Sequence, residues 1–190
     1  MPHSDNDNLF QALNAQRYKE AEQAARARLV NKNDDVQALL VLAVALSSQE
    51  QWVEALLIYR RLTELQPHEA GHFSNLATTL RQSGDLKGAE AMYRQALALH
   101  PGDPVLLSNM GLLRWQQGDV VETRDLMLAA FQADPGLPEP RIYGALACHA
   151  CAEDDTAKQL LAGCEGWPHL GEDFEVDLAT ALIQIERLEQ

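Results

Sequence analysis

A repeat period of about 34 residues constrains this sequence more than any other feature. Pro67, Pro101 and Pro135 stand at that interval, and so do Gly84 and Gly118, Asp85 and Asp119, Tyr59 and Tyr93, and Ala55 and Ala89. The clearest copy is the stretch from Phe73 to Pro101. Phe73, Leu76, Ala77 and Leu80 form one apolar stripe at helical spacing, and Leu86, Ala89, Tyr93, Ala96 and Leu97 form a second. Ser83-Gly84-Asp85 interrupts them, so the spacing predicts two antiparallel helices joined by a tight turn. One such hairpin cannot cover its own apolar faces, and a chain made of copies buries them by stacking.

The copies are read over residues 7–35, 36–69, 70–103, 104–137 and 138–171. The first is partial, with Leu9, Ala12 and Leu13 on a short first helix and Tyr18, Ala21, Ala25 and Leu29 on the second. Asp34 and Asp35 stand where an N-cap belongs at the entry to the second copy. Pro104 suits the first turn of the fourth. The fifth decays: its turn is Ala152-Glu153-Asp154, and its second helix is expected to end before Gly163. Residues 172–190 repeat a first-helix pattern, with Leu178, Ala179 and Leu182, and are read either as a solvating end helix or as the opening of a further repeat.

This pattern of small and apolar residues resembles the tetratricopeptide repeat. The resemblance implies an all-α fold, an alpha-alpha superhelix of about five helical hairpins plus a C-terminal helix, forming a single domain over residues 1–190. It also implies that the first helices line a concave groove and the second helices form the convex wall. A protein or peptide ligand in that groove is the expected partner.

Charge and composition narrow the alternatives. The formal net charge is −13, and residues 152–190 alone hold ten acidic and two basic side chains. Such a chain repels nucleic acid and anionic membrane, and neither is an expected partner. The first residues lack a basic start followed by an apolar run, three cysteines form no disulfide framework, and no apolar stretch approaches a membrane span, so a cytoplasmic protein is expected.

Candidate binding residues follow from the first-helix phase. Asn75 and Asn109 are one repeat period apart, and each precedes the Leu-Ala or Met-Gly pair of its repeat. An amide offers both a donor and an acceptor to the backbone of an extended peptide. First helices stacked about 10 Å apart match about three residues of extended chain at about 3.3 Å each. The arrangement resembles the asparagine ladder of some protein glycosyltransferases, with two rungs, because Val41 and Tyr143 hold that phase in the second and fifth repeats. The alternative is that asparagine is simply common at this position. Around the rungs, phase places Leu40, Val44, Ser74, Thr78, Arg81, Ser108, Leu112, Trp115, Ile142, Tyr143 and His149 toward the groove. Trp115 reads either as a partly exposed anchor or as a ring folded over its own hairpin. Arg114 stands where the core is expected, and its stem is read as buried with the head group reaching water.

The resemblance also argues against one binding mode. Chaperone-binding relatives clamp an acidic tail with cations at set phases, where this chain has Leu40, Val41, Gly71, Val105 or Glu139. Cys148-His149-Ala150-Cys151 has C-x-x-C spacing but sits inside a predicted helix without a second pair, and Cys148 falls in core phase. No nucleophile–base or phosphate-loop motif appears in its required context, so no catalytic residue, cofactor or metal is expected. Two further roles remain open from sequence: a substrate-recruiting region of a larger sulfotransferase, glycosyltransferase or oxygenase, and a module that self-associates through Leu178, Leu182 and Ile185 of the C-terminal helix.

Overall fold

The computed structural model describes residues 4–162 and Ala181. The described residues form ten α-helices. They are α1 (Ser4–Asn14), α2 (Tyr18–Asn31), α3 (Val36–Ser47), α4 (Trp52–Leu65), α5 (Ala70–Gln82), α6 (Leu86–Leu99), α7 (Pro104–Gln117), α8 (Val120–Ala133), α9 (Pro138–Ala150) and α10 (Asp154–Leu161). Helices α3, α5, α7 and α9 thus begin at exact multiples of the repeat period. The expected helix within 172–190, with its apolar Leu178, Leu182 and Ile185, lies outside the described residues apart from Ala181. Two compact units divide the chain, Met1–Leu99 and His100–Gln190.

Local chemistry explains where the helices begin. Asp35 rather than Asp34 caps α3, its carboxylate accepting from the Ala38 N–H at 3.2 Å. Asp34 instead pairs with Arg61 on α4. Asp85, Asp103 and Asp119 accept from backbone N–H groups at the starts of α6, α7 and α8. These bonds satisfy donors that the first helical turn leaves open. Pro104 and Pro138 occupy first-turn positions of α7 and α9, where a missing N–H costs nothing.

The hairpin turns share one backbone solution. In each hairpin turn one residue is left-handed, always at the same repeat position: Gln16 (φ 55°), Glu50 (φ 57°), Gly84 (φ 94°), Gly118 (φ 79°) and Ala152 (φ 61°). The next N–H then reaches back into the last turn of the first helix. Arg17, Gln51, Asp85, Asp119 and Glu153 donate to the carbonyls of Ala12, Leu46, Leu80, Arg114 and Cys148 at 2.8–3.0 Å. This is the Schellman closure of a helix C-terminus.

Small residues let the helices approach. Ala21, Ala55, Ala89 and Ala157 share one phase of the second helices and are fully buried. Thr123 fills the same slot in α8, its hydroxyl donating to the Asp119 carbonyl at 2.7 Å, so the buried oxygen is satisfied. In the first unit, Val41, Leu42 and Leu46 of α3 pack with Leu9 and Ala12 of α1 and with the alanines of α2. In the second, Ile142, Ala145 and Cys148 of α9 pack against Leu160 and Leu161 of α10 and against Ala181.

Candidate functional site

The first helices carry the candidate residues, and each unit presents its own set. In the first unit the face is made by α3 and α5, tied together where Ser47 Oγ and Thr79 Oγ1 approach to 3.3 Å. Leu40 and Val44 of α3 are half-buried, as are Asn75, Thr78 and Arg81 of α5. The Asn75 side-chain amide makes no hydrogen bond among the described residues, while its backbone carbonyl accepts from the Thr79 hydroxyl at 2.9 Å. Arg81 has neither an ion pair nor a side-chain hydrogen bond among the described residues, and its Nε is buried without a partner. Removing a guanidinium N–H from water without a partner is costly.

Thr78, which phase places toward the groove, is half-buried and its hydroxyl is engaged within the hairpin. Its Oγ1 lies 2.9 Å from the Tyr93 hydroxyl of α6, so the two oxygens satisfy each other within the hairpin. Tyr59, one repeat earlier, pairs instead with Ser47, and burial pushes its phenol up to about 12. Equivalent tyrosines thus reach different hydroxyls because Val44 stands where Thr78 stands one repeat later.

In the second unit the face belongs to α7 and α9. Asn109, Leu112, Trp115 and Tyr143 are half-buried on it. The Trp115 and Tyr143 rings meet edge to face, 5.9 Å between centroids and inclined by 63°. That geometry is favourable for two aromatic quadrupoles and holds both rings in one orientation. The indole therefore lies against the neighbouring first helix rather than only over its own hairpin. Arg114 is 8% exposed as a whole residue, so its head group is paired rather than left to water as the sequence suggested: its Nε meets the Glu122 carboxylate at 2.7 Å and its Nη1 donates to the Gln117 side-chain carbonyl at 2.6 Å.

Three groove expectations need correction. Ser74 and Ser108 are 8% and 3% exposed, and Ile142 is fully buried in the core of the second unit. Each precedes a half-exposed neighbour by one residue, which rotates it about 100° toward the packed side of its helix. The Ser108 hydroxyl is left without a hydrogen bond among the described residues. Val41, at the asparagine phase in α3, is also fully buried because α1 packs over it.

The remaining polar groups serve local structure. His149 Nδ1 lies 2.7 Å from the Asp154 carboxylate across the α9–α10 turn. Cys148 is buried, and burial pushes its thiol up to about 11, with Glu153 adding to the shift. Cys151, one turn on, is partly exposed. No three of His, Cys, Asp and Glu gather as a metal cluster among the described residues, and no helix described is long and apolar enough to cross a membrane.

Comparison with known proteins agrees with this architecture. Tetratricopeptide repeat family models match residues 11–70 and 80–148. Cellulose synthase operon protein C of Komagataeibacter sucrofermentans is 28% identical over 175 residues, which are 87% of this chain and 13% of that protein. The chain therefore spans about an eighth of the length of that relative. The crystal structure of TTC0263, a thermophilic TPR protein of Thermus thermophilus, superposes with a TM-score of 0.75 at 21% identity, covering 95% of this chain and 98% of that one. YrrB, described as a TPR protein with an unusual peptide-binding site, superposes with a TM-score of 0.63 at 14% identity, covering 95% and 88%. With its repeat period, its paired helices and these matches, the chain belongs to the tetratricopeptide repeat family.

Proposed function

We propose that this protein is an interaction scaffold whose first-helix faces receive a peptide or helical segment of a partner protein. The observation that carries this reading is on α5, where Asn75 and Arg81 hold polar groups without internal partners, on a helix joined through Thr79 and Ser47 to α3 with its half-buried Leu40 and Val44. An extended segment there satisfies the Asn75 amide with its backbone, places an acceptor on Arg81, and rests apolar side chains on α3. On the second unit, Asn109 and Leu112 flank the Trp115–Tyr143 pair, a rigid aromatic surface suited to anchoring an apolar side chain. The peptide-binding description of YrrB supports peptide recognition on this fold and says nothing of which peptide.

The test is a pull-down with the purified chain, repeated with the Asn75→Ala/Asn109→Ala double variant. Partners retained by the parent protein and lost by the variant, with thermal unfolding unchanged, support the reading. Retention by both refutes it for the asparagines, and a large loss of stability in the variant makes them structural. A Trp115→Phe variant with weakened capture ties the aromatic surface to the same partner.

A further inference from the structure

The second helices carry an arginine at one repeat phase, Arg26, Arg60 and Arg94. Arg26 on α2 is held by two carboxylates. Its Nε donates to Glu22, one turn earlier, at 2.9 Å, and its two terminal nitrogens donate to both oxygens of Glu54 on α4 at 2.8 and 2.7 Å. Arg94 keeps the partner one turn earlier, Glu90. One repeat after Arg26, the two carboxylate positions are occupied by Leu56 and Gly88. Arg60 keeps the cation and loses both acids, and among the described residues it has no ion pair or side-chain hydrogen bond.

A cleft of about 350 Å³ opens there, between α4 and α6 of the first unit. Arg60 and Glu64 stand on one wall, Gly88 and Met92 on the other, and Phe73 and Leu76 of α5 form the floor. Arg60 is the cation among the lining residues. Asp85 also borders the cleft, but its carboxylate caps α6, accepting from the Gly88 N–H at 2.9 Å. Glu64 lies one turn along α4 from Arg60 and does not pair with it. Gly88 supplies no acid to Arg60, and the position of its absent Cβ is crowded by the Asp85 carboxylate, so the cleft opens beyond that carboxylate, toward Ala91 and Met92.

We propose that this cleft is a second binding site, on the opposite side of the hairpins from the first-helix face, for a partner segment in which a carboxylate side chain stands next to an apolar one. The carboxylate takes on Arg60 the place that Glu54 takes on Arg26, in the two-point geometry that suits guanidinium. The apolar neighbour covers Phe73, Leu76 and Met92. The volume is at the lower end of the range for ligand pockets, which fits a pair of side chains rather than a long segment.

The test uses three blocked peptides, acetyl-Phe-Glu-Leu-amide, acetyl-Phe-Gln-Leu-amide and acetyl-Phe-Lys-Leu-amide, titrated at millimolar concentration into the ¹⁵N-labelled full chain. The glutamate peptide is expected to shift the amide signals of Gly88, Ala91 and Met92, with the glutamine peptide about tenfold weaker, as for loss of a charge-assisted pair. Arg60→Gln is expected to abolish the preference for glutamate. Gly88→Glu supplies an internal acid and displaces the Asp85 carboxylate, with which a Cβ there would clash, and is expected to block the site. Should the Gly88 variant fail to fold, the Arg60 variant decides the matter. The Asn75→Ala/Asn109→Ala variant should bind the glutamate peptide normally, which separates this site from the first-helix face. No shift with any peptide, equal binding of the glutamate and glutamine forms, or preference for lysine overturns the proposal; the last outcome would make Glu64 and Asp85 the dominant charges.

Discussion

Glu50→Gly isolates the backbone contribution of a hairpin turn, because Glu50 is exposed and makes no side-chain hydrogen bond or ion pair that the substitution removes. Its φ is 57°, a region in which a Cβ crowds the following carbonyl at about 1–2 kcal/mol. Glycine escapes that strain but loses more chain entropy on folding, about 0.5–1 kcal/mol. The net expectation is stabilisation by about 0.5–1 kcal/mol. The reverse exchange, Gly84→Ala, tests the same quantity with the sign inverted. A Cβ built at Gly84 meets nothing within 4 Å, so its whole cost is conformational. In urea, with a slope of about 2–3 kcal/mol/M, the two variants move the unfolding midpoint by about 0.3 M in opposite directions. Glu50→Ala serves as the control and leaves the midpoint nearly unchanged, since alanine keeps the Cβ. If Glu50→Gly fails to raise the midpoint while Gly84→Ala fails to lower it, the left-handed residue is not where these turns store strain.

Two further outcomes follow from the packing. Burial pushes the Asp35 carboxyl up, but the Ala38 N–H and Arg28 together pull it below its ordinary value. Its contribution is therefore present above the ordinary carboxylate range near pH 4 and lost as pH falls through the lower folded value. Asp35→Ala should cost about 1–2 kcal/mol near neutrality by urea unfolding, with the gap from the parent protein closing toward pH 2. Tyr93→Phe removes the partner of the Thr78 hydroxyl and should cost about 1 kcal/mol while leaving the helical circular dichroism unchanged; an undiminished stability would show that water replaces the phenol without loss.

Much of the fold is legible in the sequence because helix packing writes itself into apolar phase. The buried Ala21, Ala55 and Ala89, the prolines at the starts of α7 and α9, and Gly84 and Gly118 in their turns are each a local cause with a local signature. The left-handed Gln16, Glu50 and Ala152 have no such signature. There the packed helices on either side impose the conformation, and the residue tolerates it. The candidate surface is less legible for a related reason. Phase separates core from groove only to within one residue, so Ser74, Ser108 and Ile142 turn inward beside neighbours that stay half-exposed. The Thr78–Tyr93 bond joins side chains on different helices, which no single-helix pattern reveals. The isolation of Arg60 becomes visible only once the Arg26–Glu54 geometry shows which repeat positions belong together.

The contrast between Cys148 and Cys151 has a practical use. The inner thiol is shielded and stays protonated, whereas the outer one sits at the end of α9 where a reagent can reach it. With Cys164 replaced by serine, a maleimide dye attaches selectively at Cys151. That places an optical reporter about 12 Å along the helix from Tyr143, within range to test whether a ligand settles on the proposed aromatic surface.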